Sequence, residues 1–502
     1  MSLLGIDIGT TGCKAIVFRV DGEILGQGYQ EYPLIHPQPG WVELDPRAVW
    51  AGVGMAIRAA VAQAGPRDPV RALSTSVQGE AVTPVAADGT SLDHSPVTFD
   101  ARTIPYARWW EEQLGREAIF QITGMPLHPM YTINKIMWWQ RERPDVFARA
   151  AKFLCYGDFA LQQLGVEPTI DYSMAGRTMA FDLRAERWSE RILRLADVPP
   201  EKLAALRPSG AVVGPISRPA AADLGLPEGT LAVAGGHDQP CGALGAGIST
   251  AGIAMDATGT VECITPVFDT PVLTAGMLDN NYCCYHHVAP GLYATLAFNF
   301  SGGSLLRWYR DTLGEAEREE ARVSGIDVYE IMIGKAAAGP STVLVLPHFT
   351  MTGTPWFDPQ AKGAILGLTL ATGKDQILKG LLDGITYEMR LNLDRLEQAG
   401  VRVNSLRAIG GGARSRVWLQ IKANIFHRPV AALNVSEAAC LGAAMLAGVG
   451  AGIFASAGEA AQSLVKVTET FDPDPAEASR YEERLALYQD LYPTLSPLLH
   501  RL

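Results

Sequence analysis

The chain has 502 residues, 48% of them hydrophobic and 19% charged, with a formal net charge of −11; this is the composition of a soluble globular protein long enough for two or more domains. The acid excess, with no basic stripe or polybasic tail, argues against nucleic acid and anionic membranes as partners. Seven scattered cysteines without a disulfide spacing, no cationic leader segment, and no uncharged apolar run of about 20 residues predict a cytoplasmic protein that does not span a membrane.

Residues 3–22, LLGIDIGTTGCKAIVFRVDG, read as strand, Gly/Thr turn, strand and tight turn. Asp21-Gly22 signals a hairpin into a third strand ending near Tyr32. Asp7 interrupts the first apolar run, where an unpaired carboxylate is costly. Gly9, Thr10, Thr11 and Gly12 let backbone and hydroxyls approach phosphate oxygens, and Lys14 supplies a cation. Asp7 repels phosphate, but in such a setting it can hold Mg2+ through water. The alternative is an Asp that caps its own turn.

Residues 47–64 form the next helix, with Asp45 as N-cap before Pro46. Strands follow at 70–77 and 81–86, then Trp-rich helices at 103–120 and 131–150. The pairs Trp109-Trp110 and Trp138-Trp139 read as packing rather than as a stacking platform. A strand at 230–235 runs through Gly235-Gly236-His237 to Asp238 and a small-residue helix at 239–248. A carboxylate there can accept a proton from a substrate hydroxyl, a role worth about a hundred- to ten-thousand-fold in rate. Its alternative is an N-cap for that helix.

Residues 252–268 echo the opening: Met255-Asp256-Ala257-Thr258-Gly259-Thr260 parallels Ile6-Asp7-Ile8-Gly9-Thr10-Thr11. The echo predicts two related domains facing each other, with a boundary near 245–252. The cluster NYCCYHHV (281–288), with Cys283, Cys284, His286 and His287, matches no zinc spacing. Further on come helices at 304–313 and 376–399, the latter closed by Gly400, and a strand at 401–409. Gly410-Gly411-Gly412 then leads into a helix at 414–426, with another at 436–449. No P-loop pattern occurs, so a bound purine would lie on the glycine triplet, whose alternative is a plain strand-to-helix turn. Alternating strands and helices make the chain α/β.

DIGTTGCK, GGHDQPCGALGAG, DATGTVE and AIGGGARSRVWLQIKANIFHRPV stand in the order found in FGGY carbohydrate kinases, and the chain resembles that family from Leu3 to about Phe454. MYTINKIMWWQRE (130–142) and PHFTMTGTPWFDPQAKGAILGLTL (347–370) resemble it too, with Trp139 where an aliphatic residue or Phe is usual. The resemblance implies two actin-like (ribonuclease-H-like) domains across a cleft, 1–247 and 248–502, and MgATP-dependent phosphorylation of a small sugar or polyol. It implies Asp238 as general base and Asp7 beside Mg2+. Thr10, Thr11 and Lys14 would form one phosphate loop, Gly259 and Thr260 the other, and Gly411 and Gly412 would hold adenosine.

Val77 and Gln78 stand where xylulokinases often carry Met-His and glycerol kinases Arg-Glu, and Asp100 and Arg102 match an Asp-x-Arg loop near the sugar. These four are the expected substrate contacts, although Asp100 and Arg102 also suit a pair with each other. A ketopentose such as xylulose is the first expectation. Family members are often dimers, which leaves a homodimer open. The competing readings are an actin-like ATPase and a sugar sensor without turnover.

Overall fold

The computed structural model of the protein describes residues 1–502. Leu3, Leu4, Ile6 and Ile8 are all buried because their strand, Ser2–Ile8, lies inside a six-stranded sheet. The order is Val212–Pro215, Leu231–His237, Val70–Val77, Ser2–Ile8, Gly12–Arg19, Ile24–Glu31. The strands Leu231–His237, Val70–Val77 and Ser2–Ile8 run parallel, and both Ile8 and His237 are register partners of Val77. These strands therefore end level. The 9–12 loop, the 78–81 turn and the helix Asp238–Gly245 all leave from one sheet edge, where α/β sheets bind ligands.

The second sheet runs Tyr285–His286, Tyr293–Ala294, Glu262–Phe268, Ile253–Thr258, Ser405–Gly410, Val430–Leu433, Val467–Phe471, and Ala297–Asn299 also pairs with Glu262–Phe268. Ile253–Thr258 and Ser405–Gly410 are parallel with Thr258 opposite Gly410. The 259–261 turn and the Gly411–Arg414 turn thus also share an edge.

The register corrects the expected echo. The first hairpin closes at Ile8 and Cys13, the second at Thr258 and Glu262. One residue before each closing pair stand Asp7 and Ala257. Asp256 lies one place further back, on the opposite face, since side chains alternate. Both sheets open with the same hairpin plan, but only the first carries an acid at that position.

The helices Asp238–Gly245 and Ala438–Gly450 cross backbone to backbone. A Cβ on Gly442 would stand 1.9 Å from the Cys241 carbonyl oxygen, and one on Gly245 1.8 Å from that of Ala438. Each helix also packs on the sheet of the other half. Cys440, Leu441 and Ala444 join Leu3, Ile16, Ala72 and Val233 in one apolar cluster, while Ala243 and Ala246 join Met255 and Val267 in another.

Local signals explain most boundaries. Asp45 accepts from the Arg47 N–H at 2.9 Å and starts Pro46–Ala64. The helix expected at 103–120 is two, Ile104–Gln113 and Arg116–Thr123, separated by Gly115 at φ 80°. The one expected at 131–150 divides into Thr132–Glu142 and Pro144–Arg149, because a proline pushes its predecessor out of helical geometry. No helix is long and apolar enough to cross a membrane.

Candidate active site

Asp7 ends up beside the parallel neighbour of its strand. Its Oδ1 accepts from Ser76 Oγ at 2.7 Å, so it does not cap its own turn. Burial raises its pKa, against the hydrogen bond from Ser76 and the charge of Lys14. The loop after it is closed by Gly9 N–H donating to the Gly12 carbonyl at 2.9 Å. Thr11 at the tip is exposed, and Lys14 donates to Glu437 Oε1 at 2.7 Å.

Gln78 is bound to this loop. Its Nε2 donates to the Gly9 carbonyl at 3.1 Å, and its Oε1 accepts from Thr10 Oγ1 at 3.0 Å. Val77 is only 1% exposed, within the core. The expectation that Val77 and Gln78 face a substrate is therefore corrected: strand alternation sends the first into the core, and the second spends its amide on the loop at Gly9 and Thr10. The next two residues lie nearer the 237–238 segment. A Cβ on Gly79 would stand 2.9 Å from His237 Nε2, and the Glu80 charge acts on Asp238. The lack of an Arg-Glu pair at 77–78 thus says nothing about glycerol.

Glu80 holds a backbone φ of 63°, unusual for a side chain with a Cβ and sustained only where surrounding contacts enforce it. Those contacts are dense. Glu80 Oε1 accepts from Arg177 Nε at 2.6 Å and Oε2 from Thr98 Oγ1 at 2.8 Å. The Glu80 carbonyl accepts from Thr132 Oγ1 at 3.1 Å and Lys135 Nζ at 2.9 Å. The Arg177 guanidinium lies 5.4 Å from the Tyr131 ring and 5.5 Å from the Tyr285 ring.

Asp238 is the first residue of its helix. His237 holds the N-cap position, so the capping alternative for Asp238 fails. The Asp238 side chain is 35% exposed, while its Oδ1 is buried. Burial first, then the charges of Asp7 and Glu80, push its pKa up to about 7. Its Oδ1 has no hydrogen-bond donor, although His237 Nε2 is 3.2 Å away. Burial and the nearby Arg177 hold the His237 pKa well below its ordinary value, so the ring is neutral and the contact is not an ion pair. Its Nδ1 lies 3.1 Å from Tyr285 Oη.

Asp100 and Arg102 are corrected as substrate contacts. Arg102 Nε and Nη2 donate to Asp100 Oδ1 and Oδ2 at 2.7 and 2.9 Å, and Nη2 also donates to Glu43 at 2.6 Å. The guanidinium lies 3.9 Å from the Trp41 ring and 4.7 Å from that of Trp138. Their side chains are 0% and 2% exposed. They pair with each other and brace the loop.

In the second half, Gly259 and Thr260 form an exposed hairpin tip. Gly303 N–H donates to the Gly259 carbonyl at 2.8 Å, and Ser304 N–H to that of Thr260 at 3.1 Å. Gly411 is exposed and Gly412 half-buried in the neighbouring turn. The Cys/His cluster is occupied elsewhere: His286 Nε2 lies 3.0 Å from the Leu183 carbonyl, His287 Nδ1 accepts from Ala289 N–H at 3.0 Å, and Cys283 and Cys284 are buried.

Comparison with known proteins matches residues 2–245 to the family described as "FGGY family of carbohydrate kinases, N-terminal domain" and residues 254–451 to its C-terminal domain. Among curated relatives, a gluconokinase of Bacillus subtilis (strain 168) is 28% identical, over 97% of this chain and 95% of its own length. A glycerol kinase of Methylibium petroleiphilum is 30% identical, over 97% and 98%. Among solved structures, the xylulose kinase from Rhodospirillum rubrum superposes with a TM-score of 0.88 at 27% identity, over 100% of both chains.

Proposed function

Because the chain belongs to the FGGY family of carbohydrate kinases, with that family's two-domain actin-like fold and ATP as phosphate donor, we propose that it phosphorylates a hydroxyl of a neutral sugar, a ketopentose such as xylulose, with Asp238 as general base. The observation that carries this reading is Asp238 itself. Its carboxylate has an unpartnered oxygen, is pushed up to a pKa of about 7 by burial and by Asp7 and Glu80, and leaves the same sheet edge as Asp7 and the Gly/Thr loop. A base of that pKa is matched to neutral pH.

In this reading residues 1–247 carry the acceptor site and first phosphate loop, and 248–502 carry the second loop and adenosine site. Asp238 takes the acceptor hydroxyl proton as its oxygen bonds to the γ-phosphorus. The bond from that phosphorus to the bridging oxygen breaks, and ADP leaves. Thr10, Thr11, Lys14, Gly259 and Thr260 hold the phosphates, and Gly411 and Gly412 the adenosine. The Asp7 carboxylate has a single hydroxyl donor, Ser76, and its pKa is raised by burial; this under-compensated acid suits a hydrated cation and would hold Mg2+ through water. Mg2+, when bound, neutralises phosphate charge. The rest is positioning, on which phosphoryl transfer mainly depends, and exclusion of water as a competing acceptor.

Charge supports a neutral acceptor. Asp7, Glu80 and Asp238 gather here, and Arg177 is already committed to Glu80. A sugar acid would add one more carboxylate to the three already there. The test is ADP release with MgATP across xylulose, ribulose, glycerol and gluconate, for wild type and Asp238→Ala. Stimulation by a neutral sugar that the variant loses is expected. Strong stimulation by gluconate overturns the charge argument, and a fully active variant overturns the base.

A further inference from the structure

One buried ionic cluster has no part in the chemistry above. Lys422 Nζ lies 2.6 Å from Asp256 Oδ2, 3.0 Å from Glu262 Oε1 and 2.5 Å from Thr258 Oγ1. The Lys422 side chain is 1% exposed, and those of Asp256 and Glu262 are 0% exposed. Asp256 Oδ1 and both Glu262 carboxylate oxygens lack a donor, and burial together with the neighbouring Asp256 pushes the Glu262 pKa up. Apolar residues of similar volume often hold such a site as well or better than a buried ion cluster, so packing alone does not account for it.

Its placement does. Asp256 and Thr258 lie on one arm, and Glu262 on the other, of the hairpin whose tip is 259–261. Lys422 comes from the helix Arg416–Phe426, which begins directly after the Gly411–Arg414 turn. Thr258 is the shared member. A Cβ on Gly412 would stand 2.6 Å from the Thr258 Cβ, and one on Gly410 2.6 Å from its carbonyl oxygen. The threonine whose hydroxyl takes the Lys422 hydrogen bond is thus the one the glycine turn is pressed against.

We infer that Lys422 is a positioning residue for the nucleotide: through Thr258 it fastens the second phosphate loop to the glycine turn, so that phosphates and adenosine are engaged at one fixed separation. This rests on the reading that Gly259 and Thr260 meet phosphate and that Gly411 and Gly412 meet adenosine. Asp256 and Glu262 hold the ammonium in place, and neither touches the nucleotide.

The experiment titrates MgADP into the full-length protein by calorimetry and records thermal midpoints. The variants are Thr260→Val, Thr258→Val, Lys422→Met and Lys422→Arg. Thr258→Val keeps the shape of the side chain and the Lys422 contacts with Asp256 and Glu262 while removing only the linking hydroxyl. It is expected to weaken MgADP about tenfold, the scale of one lost hydrogen bond to a charged group, and to lower the midpoint less than Lys422→Met does, because the ammonium keeps Asp256 and Glu262. Lys422→Met weakens it at least as much, and Lys422→Arg recovers part. If Lys422→Met does not fold, Thr258→Val decides alone. Thr258→Val binding MgADP like wild type, while Thr260→Val binds it weakly, overturns the inference and leaves the nucleotide reading intact. If both bind like wild type, the nucleotide reading falls and takes the inference with it.

Discussion

Lys14 and Glu437 meet at 2.7 Å although 423 residues separate them. Glu437 directly precedes the helix Ala438–Gly450, which lies against the first sheet. The ammonium beside the first loop therefore already has a carboxylate partner, and under the proposed function a phosphate would have to draw it away. Half-exposed pairs contribute only about 0–1 kcal/mol, so the exchange is easy. Glu437→Gln is expected to lower KM for MgATP about two- to threefold with under about 1 kcal/mol change in stability. Lys14→Met should raise that KM about tenfold. A rise in KM for Glu437→Gln would instead give the carboxylate a direct part in holding the nucleotide.

Asp238→Asn should lower kcat by about a hundred- to ten-thousand-fold and leave MgADP affinity unchanged in calorimetry. In the wild type, kcat/KM should fall about tenfold per pH unit below the Asp238 value of about 7. A profile flat down to pH 5 would remove Asp238 as base.

The same shift predicts a stability trend. Folding raises the Asp238 pKa from 3.8 to about 7. The folded state therefore binds this proton more tightly than the unfolded chain. The resulting stabilisation is full below about pH 4 and is lost as pH rises through about 7. Asp238→Asn carries no such loss. Its thermal midpoint should exceed that of the wild type by more at pH 8 than at pH 5. An equal gap at both values counts against the shift.

Arg177→Met leaves the Glu80 carboxylate buried without its cation, which costs about 3–5 kcal/mol. Urea unfolding should show the loss, and adding Glu80→Gln should recover part of it. If the double variant is as unstable as the single one, the ion pair is not the source.

Gln78→Leu should raise KM for MgATP while leaving KM for the acceptor within about twofold, because the amide serves Gly9 and Thr10 rather than the acceptor side. The reverse split would return Gln78 to the substrate.

Asp7, Asp238 and the two Gly/Thr loops were legible because each stands at the end of an apolar strand, Asp7 as its penultimate residue, and a strand end with glycines beside it is a local pattern. Glu80 and Arg177 were not. They lie 97 residues apart, and no spacing marks a contact of that kind. The error at 77–78 is one of strand ending: without the register to Ile8 and His237, nothing tells which residue is the last to point into the core. The Asp256 echo misled because the letters of the two hairpins match while the second turn is one residue shorter. Asp100 and Arg102 suited two roles at once, and only the stacking Trp41 and Trp138, distant in sequence, decide for the internal pair.

The two crossed helices have a mechanical consequence. With backbone touching backbone at Gly442 and Gly245, the crossing works like the rivet of a pair of scissors. If the halves rotate, the phosphate loops at the sheet edges sweep through an arc, while whatever sits at the rivet hardly travels. Asp238 starts one of those helices. If Asp238 is the proposed base, such a rotation would leave it nearly still and bring the phosphate donor to it.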